Sequence, residues 1–215
     1  MTLASTTAAA EKLPPQRLWG IGSYDVAGER VYFEISWDDQ RRDTAWARAM
    51  LAGLGVNGDS GLVIVCGMAE SPWFDPFETA ARELGAPYST GEIASFEAFR
   101  TGMYARRLPI TMIFGLDRTV AEGLGDELAE AGARPFILTR VGPAIAVECP
   151  QRSGAHINDT EWTVTERGGE LFISTAGHRA HQVTDAATGL AGSVTAGPCG
   201  CGRDGQRVTS AEAGA

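Results

Sequence analysis

The stretch that decides the fold is Leu62-Val-Ile-Val-Cys66, followed by the loop Gly67-Met-Ala-Glu-Ser-Pro72 and a segment from Trp73 to Leu84 that ends at Gly85. A continuous apolar run without alternation is typical of a strand buried on both faces. The loop predicts a turn into a helix, and Gly85 is a suitable helix stop. A buried strand followed directly by a helix is the repeating unit of a parallel α/β sheet.

The same alternation continues on both sides of this unit. We expect further strands at Val31–Ile35, Ile110–Phe114 and Pro135–Leu138, and further helices from Asp38 or Asp39 to Leu54, over Glu92–Arg106 and over Arg118–Ala131. Either aspartate could cap the first of these helices. The predicted fold class is α/β, with a mainly parallel sheet flanked by helices.

After Val141 the pattern changes to short strand-like pieces separated by glycine and aspartate. These pieces are Ala144–Val147, Glu161–Thr165, Glu170–Thr175 and His181–Thr184. We therefore expect a small β-rich subdomain over residues 142–205, after an α/β part over residues 17–141. Residues 1–16 are predicted to be a disordered leader and residues 206–215 a flexible tail.

Three of the four cysteines and one of the three histidines form two clusters in the second half. Cys149 and His156 form the first, and Cys199 and Cys201 form the second. Three thiolates and an imidazole are a complete tetrahedral set for Zn²⁺, and a closed set of four protein ligands is structural rather than catalytic. The sequence therefore predicts a structural zinc site. The alternative is reduced surface thiols and a disulfide, whereas Cys66 is expected to be a small core residue.

Composition narrows the classes of partner and compartment. The formal net charge of -9 argues against nucleic acid and anionic membranes as partners, and no apolar run is long enough to span a bilayer. The single lysine, Lys12, lies in the predicted leader, so no lysine is expected in the folded body as a nucleophile or phosphate ligand. Few cysteines and no secretory signal fit a cytoplasmic protein.

Several motifs in the second half have a specific order and spacing. They are Gly142-Pro-Ala-Ile-Ala-Val-Glu-Cys149, Gly154-Ala-His156, Gly169-Glu-Leu-Phe-Ile-Ser-Thr175, Thr188-Gly189 and Cys199-Gly-Cys-Gly-Arg203. In this order they resemble the phenylacetate-CoA ligases of the adenylate-forming acyl-CoA synthetase superfamily. Leu54-Gly-Val-Asn-Gly-Asp59 and Arg82-Glu-Leu-Gly-Ala86 are also similar, so the resemblance covers most of residues 36–205. It also implies a structural zinc at the Cys/His array.

The chain departs from this family where the family handles ATP. The family's phosphate loop, with its lysine, is replaced by Gly22-Ser-Tyr-Asp-Val-Ala-Gly-Glu-Arg30. The glutamate that helps to hold Mg²⁺ corresponds to Arg140, and the aspartate that binds the ATP ribose corresponds to Leu190. The family's mobile C-terminal domain, with its catalytic lysine, would lie beyond the end of this chain. Since each loss removes a contact with the nucleotide, we expect a compact, degenerate relative that does not use ATP.

The resemblance places the acyl pocket beside the loop and helix that follow the second core strand. The substrate-binding candidates are Met68, Trp73, Phe74, Thr139 and Arg140. The aromatic rings could stack on an aromatic ligand, and the arginine could hold a carboxylate or phenolate. The alternative is that Trp73 and Phe74 are ordinary core residues.

His178 and His181 are the histidines that the zinc set leaves over, and Asp185 follows them closely. At neutral pH either histidine could act as a general acid or base, and Asp185 could orient one of them. The alternative is a pair of exposed loop histidines. A second metal site at these three residues is possible, although their spacing matches no recognised ligand motif.

Together these features predict an ATP-independent, non-adenylating tailoring enzyme of a specialised biosynthetic pathway. It would act on an aromatic or acyl substrate by acid–base chemistry such as cyclisation, hydrolysis or rearrangement. The alternatives are a non-catalytic acyl- or aromatic-binding or scaffold protein, and an aryl-CoA ligase assisted by a separate domain. Besides the small substrate, the expected partners are a second copy of the chain or another enzyme of the pathway.

Overall fold

A parallel sheet forms the first half of the chain, as the strand–helix alternation predicts. The computed structural model describes residues 18–91, 107, 110–115, 121, 125–130 and 132–210. Four strands, β3 (Gly61–Val65), β4 (Tyr88–Gly91), β5 (Ile110–Phe114) and β6 (Arg134–Phe136), pair in parallel in the order β4-β3-β5-β6. All five residues of β3 are buried, as expected for a strand covered on both faces.

Two helices of the first half, α1 (Trp37–Gly53) and α2 (Ser71–Glu83), pack against each other and share one hydrophobic core with this sheet. The N-cap of α1 is Ser36 rather than the predicted Asp38 or Asp39. The Ser36 hydroxyl accepts a hydrogen bond from the Asp39 N–H at 3.1 Å, and the Asp39 carboxylate accepts one from the Ser36 N–H at 2.8 Å. This capping box satisfies N–H groups that would lack partners in the first turn.

The helix predicted over Arg118–Ala131 is described only in its last part, as the short helix α3 (Gly125–Glu130). The helix predicted over Glu92–Arg106 lies outside the described residues. None of the helices in the described ranges is long and apolar enough to cross a membrane.

The strand predicted at Val31–Ile35 exists but does not belong to the parallel sheet. It is part of β2 (Glu29–Ser36), which pairs antiparallel with β1 (Leu18–Val26) as a separate hairpin. The hairpin turns at Ala27 and Gly28, which both have positive φ, of 49° and 82°. A two-residue turn of this kind matches the twist of paired antiparallel strands.

The second half forms a seven-stranded antiparallel sheet in the order β10-β11-β12-β13-β9-β8-β7. Its strands are β7 (Leu138–Val141), β8 (Ala144–Glu148), β9 (Ala155–Ile157), β10 (Trp162–Arg167), β11 (Glu170–Thr175), β12 (Ala186–Thr195) and β13 (Arg207–Ser210). Within the described residues this sheet has more strands than the parallel one, so the β-rich part is larger than the small subdomain that the sequence predicts, while the parallel sheet of the first half is confirmed. Neighbouring strands run antiparallel here because two-residue connections at Gly142-Pro143 and Gly168-Gly169 join them, whereas parallel neighbours need a much longer crossover.

Three sequence assignments change in this sheet. The segment His181–Thr184 is a loop, and the strand begins after it, at Ala186. Part of the predicted flexible tail, Arg207–Ser210, is the strand β13, in which Val208 is 1% exposed. The strand β7 lies before the predicted boundary at residue 141 yet pairs with β8, which lies after it. Backbone pairing partners distant in sequence therefore decide these segments.

Candidate metal centre and ligand cleft

The structure brings the four predicted metal ligands together. Cys149 follows β8, His156 lies in β9, and Cys199 and Cys201 lie in the loop between β12 and β13. Their ligand atoms all lie within 4.8 Å of one another, with 3.4 Å between the sulfurs of Cys149 and Cys199 and 3.2 Å between the Cys201 sulfur and the His156 Nε2. The cysteines are unpaired thiols, so the disulfide alternative is not formed. This group could hold a metal ion.

Hydrogen bonds to the sulfurs of Cys149 and Cys199 suit these two residues to act as ligands. Cys149 Sγ accepts from the Gln151 N–H and from the Ser153 hydroxyl, both at 3.3 Å, and the Ser153 oxygen also lies 3.2 Å from Cys199 Sγ. Hydrogen bonding from the backbone of Cys201, followed by that from Ser153, lowers the pKa of Cys199 to about 5. Burial raises the pKa of Cys201. Thiolates are the form that binds metal, and such donors orient them.

The metal loop is also joined to the end of helix α1. The Arg203 guanidinium contacts the sulfur of Met50 and donates to the carbonyls of Met50 and Ala49, at 3.2 and 3.4 Å. The carboxyl end of a helix carries partial negative charge, so an arginine there is favourable. The cysteine loop therefore packs directly against the first half of the chain.

An open cleft of about 810 Å³ lies between the hairpin, the segment after β3 and the antiparallel sheet. Three of the predicted substrate-binding residues, Trp73, Thr139 and Arg140, line it. Arg140 pairs with Glu70 at 2.8 Å and its guanidinium lies 5.7 Å from the centre of the Trp73 ring. Glu70 accepts a second hydrogen bond from the Gly67 N–H at 2.7 Å, so this ion pair is anchored to the carboxyl end of β3. Ligands of open α/β sheets bind at such edges.

The other two candidates are placed differently. Phe74 is 3% exposed and belongs to the hydrophobic core, so the structure does not bring it to the cleft. Met68 begins the short 3-10 helix Met68–Glu70, and its side chain lies outside the described part of the structure. Trp73 is also 3% exposed, so it meets the cleft with only a small part of its ring.

The segment that the resemblance aligns with the family's phosphate loop, Gly22–Arg30, includes the turn of the β1–β2 hairpin. Tyr24, Asp25 and Arg30 from this hairpin line the cleft, together with Gly189 and Leu190 of β12. The turn packs closely on that strand, because a Cβ built at Gly189 would lie 2.5 Å from the Asp25 carbonyl oxygen. Arg30 and Asp25 form an ion pair at 2.7 Å. The hairpin thus occupies the side of the cleft that includes Leu190.

The predicted catalytic residues share the segment between β11 and β12 but do not assemble. His178 is exposed, and His181 is half-buried, which lowers its pKa. The Asp185 carboxylate pairs with Arg167, and the Asp185 N–H donates to the Ser174 hydroxyl at 2.8 Å. In the described part of the chain, the grouping of possible metal ligands is the Cys/His set, not these three residues.

This loop is instead held by a set of charges that sequence reasoning missed. The buried ion cluster consists of Asp39, Asp43, Glu161, Arg42 and Arg179. Arg179 pairs with Asp43 at 2.6 Å and Glu161 at 3.1 Å, and its side chain is 6% exposed. Arg42 pairs with Asp39 at 2.6 Å and Glu161 at 2.9 Å. Asp39, Arg42 and Asp43 recur at helical spacing, but this pattern alone is equally typical of a solvated helix face.

Comparisons with known proteins support the fold. No protein-family model matches the sequence, and no curated protein matches it significantly. A solved structure of 2-hydroxyisobutyryl-CoA ligase in an open conformation, in complex with 2-HIB-AMP and CoA, is 15% identical with a TM-score of 0.64 and covers 96% of this chain and 60% of the ligase chain. The same ligase in the postadenylation state, in complex with R3-HIB-AMP, is 14% identical, with a TM-score of 0.66. The match covers 96% of this chain and 55% of the ligase chain.

This chain therefore spans a little over half the length of those ligase chains. At this level of identity the likeness concerns the fold alone. It agrees with the fold expected from the resemblance to adenylate-forming ligases.

Proposed function

We propose that this chain binds an aromatic or acyl acid in the cleft without adenylating it, as a degenerate relative of the phenylacetate-CoA ligases in a specialised biosynthetic pathway. The observation that carries the proposal is Arg140, which stands at the cleft wall between Glu70 and the Trp73 ring. Glu70 takes one nitrogen of the guanidinium, so further N–H donors remain for a ligand carboxylate. The nearby aromatic and apolar wall suits an aromatic or acyl body.

Three features support a function without ATP. Arg140 places a positive charge where the resemblance assigns a carboxylate for Mg²⁺. Leu190 offers no hydrogen bond where the resemblance assigns an aspartate for the ribose. The hairpin turn packs against Gly189 on the same side of the cleft. A nucleotide would leave polar groups without partners there, which costs about 1–3 kcal/mol for each buried group.

We further propose that the metal at the Cys/His set is zinc and that its role is structural. Three sulfurs and one ring nitrogen are the donor types that Zn²⁺ prefers, and all four positions are filled by the protein. The metal would hold the loop after β12 against β8 and β9. It would supply no open coordination position for a substrate.

The test is a thermal-shift and calorimetric comparison on zinc-loaded protein, with naphthalene-2-carboxylate and phenylacetate set against Mg-ATP and CoA. Stabilisation by a ligand follows the ratio of its concentration to its Kd. We expect the aromatic acids to stabilise the protein and Mg-ATP to have no effect. Clear stabilisation by Mg-ATP would overturn the proposal.

Two matched variants locate the acid. Arg140→Gln removes the cation and should weaken binding of naphthalene-2-carboxylate by about tenfold or more, since a charge-assisted hydrogen bond is lost. Glu70→Gln removes the competing carboxylate and should strengthen binding. If both variants bind the acid as the wild type does, the ligand does not lie at Arg140.

A second candidate is an acid–base tailoring enzyme that uses the loop between β11 and β12. The observation in its favour is His181, whose burial lowers its pKa and so keeps the ring neutral, as a general base requires. Since Asp185 pairs with Arg167, it would not orient this histidine. Full turnover of a converted substrate by the variant His178→Ala/His181→Ala would eliminate this candidate.

A further inference from the structure

One segment both surrounds the candidate metal centre and forms a wall of the cleft. Cys149 and His156 face the metal position, while Arg152, Ser153 and Gly154 between them line the cleft. Ser153 touches both sides, because its hydroxyl lies 3.3 Å from Cys149 Sγ and 3.2 Å from Cys199 Sγ. Ser153 therefore links this wall of the cleft to two of the candidate metal ligands.

Arg152 has an uncommon backbone conformation within this segment. Its φ is 56°, in the left-handed region that residues other than glycine, asparagine and aspartate seldom adopt. The Arg152 N–H donates to the Cys149 carbonyl at 2.8 Å, and the Cys149 N–H donates to the Gly154 carbonyl at 2.8 Å. A conformation of this kind persists only where its surroundings determine it, and such residues occur often at binding sites.

The Arg152 side chain is directed to the cleft by Glu148. The two form an ion pair at 2.7 Å, in which the Glu148 side chain is 6% exposed and the Arg152 side chain is 56% exposed. Glu148 is itself fixed, since its carboxylate accepts a hydrogen bond from the Ile137 N–H at 3.1 Å. One guanidinium nitrogen is used in the ion pair, so other donors remain for a ligand.

Arg152 and Arg140 stand at two ends of one cleft wall. Ile137, which anchors Glu148, lies three residues before Arg140 along the chain entering β7. At about 3.3 Å per residue of an extended strand, the backbone positions of Ile137 and Arg140 are roughly 10 Å apart. Leu138 and Thr139 lie between them and also line the cleft.

We propose that Arg152 recognises a second acidic group of the ligand and that the metal centre positions Arg152 for this contact. The inference rests on the proposed function, in which Arg140 holds the first acidic group. It narrows the ligand class to elongated aromatic or acyl compounds with two anionic groups. Arg152 is then a specificity-determining residue of the cleft, and the metal centre holds it in its left-handed turn.

The experiment compares a monoacid, naphthalene-2-carboxylate, with a diacid, naphthalene-2,6-dicarboxylate, by isothermal titration calorimetry on the full zinc-loaded chain. We expect the diacid to bind about tenfold more tightly, the gain of one further charge-assisted contact. Arg152→Asn should bring the ratio of the two affinities to about one, because asparagine tolerates the left-handed turn but carries no charge. Arg167→Gln removes an arginine that does not line the cleft and should leave the ratio unchanged.

Removal of the metal with a chelator tests the positioning role. The wild type should then lose its preference for the diacid, whereas Arg152→Asn, which has none to lose, should show no further change in the ratio. If circular dichroism shows that the chelated chain unfolds, the two acid affinities are instead compared in zinc-loaded Ser153→Ala. That variant should reduce the ratio while all four metal ligands stay in place.

The outcomes separate the two proposals. If neither acid binds to the wild type, the proposed function fails and this inference fails with it. If the monoacid binds and depends on Arg140 but the diacid has no advantage, or keeps it in Arg152→Asn, only this inference is wrong. If the preference survives both metal removal in a folded chain and Ser153→Ala, the metal centre does not position Arg152.

Discussion

The buried ion cluster gives the sharpest prediction, through the substitution Arg179→Met. Arg179 is 6% exposed in its side chain and is shared by Asp43 and Glu161, with the Trp162 ring centre 4.6 Å from its guanidinium. The cluster contains three carboxylates and two guanidiniums, so methionine would leave three carboxylates with Arg42 alone. Removing one partner of a buried pair costs about 3–5 kcal/mol, because the remaining charge is uncompensated.

This cost should depend on pH. Burial raises the pKa of Asp43, and the hydrogen bond and charge of Arg179 oppose that rise. Without Arg179 the pKa of Asp43 in the folded state should rise further. In the variant, the folded chain then binds a proton at Asp43 at a higher pH than the unfolded chain does. The contribution of Asp43 to stability is therefore most favourable at low pH and is lost as pH rises through its folded-state pKa. Arg179→Met should therefore cost less at pH 5 than at pH 7.

The assay is urea unfolding at both pH values, followed by circular dichroism. A domain of this kind has about 5–15 kcal/mol of stability, so the expected loss is a large fraction of it. Arg167→Met is a matched control, because Arg167 also pairs with an aspartate and lies over a ring, that of Phe172, but is 52% exposed. The control should cost less than about 1 kcal/mol. If Arg179→Met costs no more than the control and shows no pH dependence, the cluster does not bear on stability as argued.

Three further predictions concern other parts of the molecule. Chelation of the metal should lower the melting temperature in a way that added zinc reverses, and Cys66→Ser, outside the metal set, should respond as the wild type does in the same thermal scan. Gly115→Ala should lower the free energy of unfolding in urea by at least about 3 kcal/mol, because the φ of Gly115 is 90° and the new Cβ would overlap the Val65 carbonyl oxygen. Gly132→Ala is the control and should cost about 1 kcal/mol, because Gly132 has a φ of 68° but open space around it. Equal costs for the two variants would refute this packing. Burial lowers the pKa of His181, so the unfolded chain binds the proton more readily and the folded chain loses stability as pH drops below the ordinary histidine pKa of 6.5. His181→Gln should reduce this loss between pH 7 and pH 5, measured by unfolding at both pH values, whereas the control His178→Gln should keep it. A loss in His181→Gln as large as in the wild type would contradict the prediction.

The parts of the fold that follow local pattern were predictable. The apolar run at Leu62–Cys66 predicted a buried strand, and the structure has it as Gly61–Val65. The helix predicted from Trp73 is present as Ser71–Glu83, with Pro72 in the first turn, where its missing N–H is no loss. In both cases a few consecutive residues are enough to predict the element, and contacts with the rest of the chain only bury it.

The candidate site divides in the same way. The metal set could be found from sequence because thiols and imidazoles are few and their chemistry is specific. Trp73, Thr139 and Arg140 were predicted through the resemblance as substrate-binding residues, and the three line one cleft. The pairing of Arg140 with Glu70 could not be found, because nothing local in the sequence brings the end of β3 to β7.

The sequence by itself determined the α/β character, the helices α1 and α2 and the composition of the candidate metal set, since these depend on residue type and on the spacing of a few positions. Only the tertiary structure decided that Val31–Ile35 belongs to a separate hairpin, that Arg207–Ser210 closes onto His156 in the antiparallel sheet, and that Arg179 is buried among three carboxylates. Strand pairing and charge burial both depend on which distant segments meet. The same short run of residues can be a tail or a strand, and the same arginine can be solvated or buried, until those partners are in place.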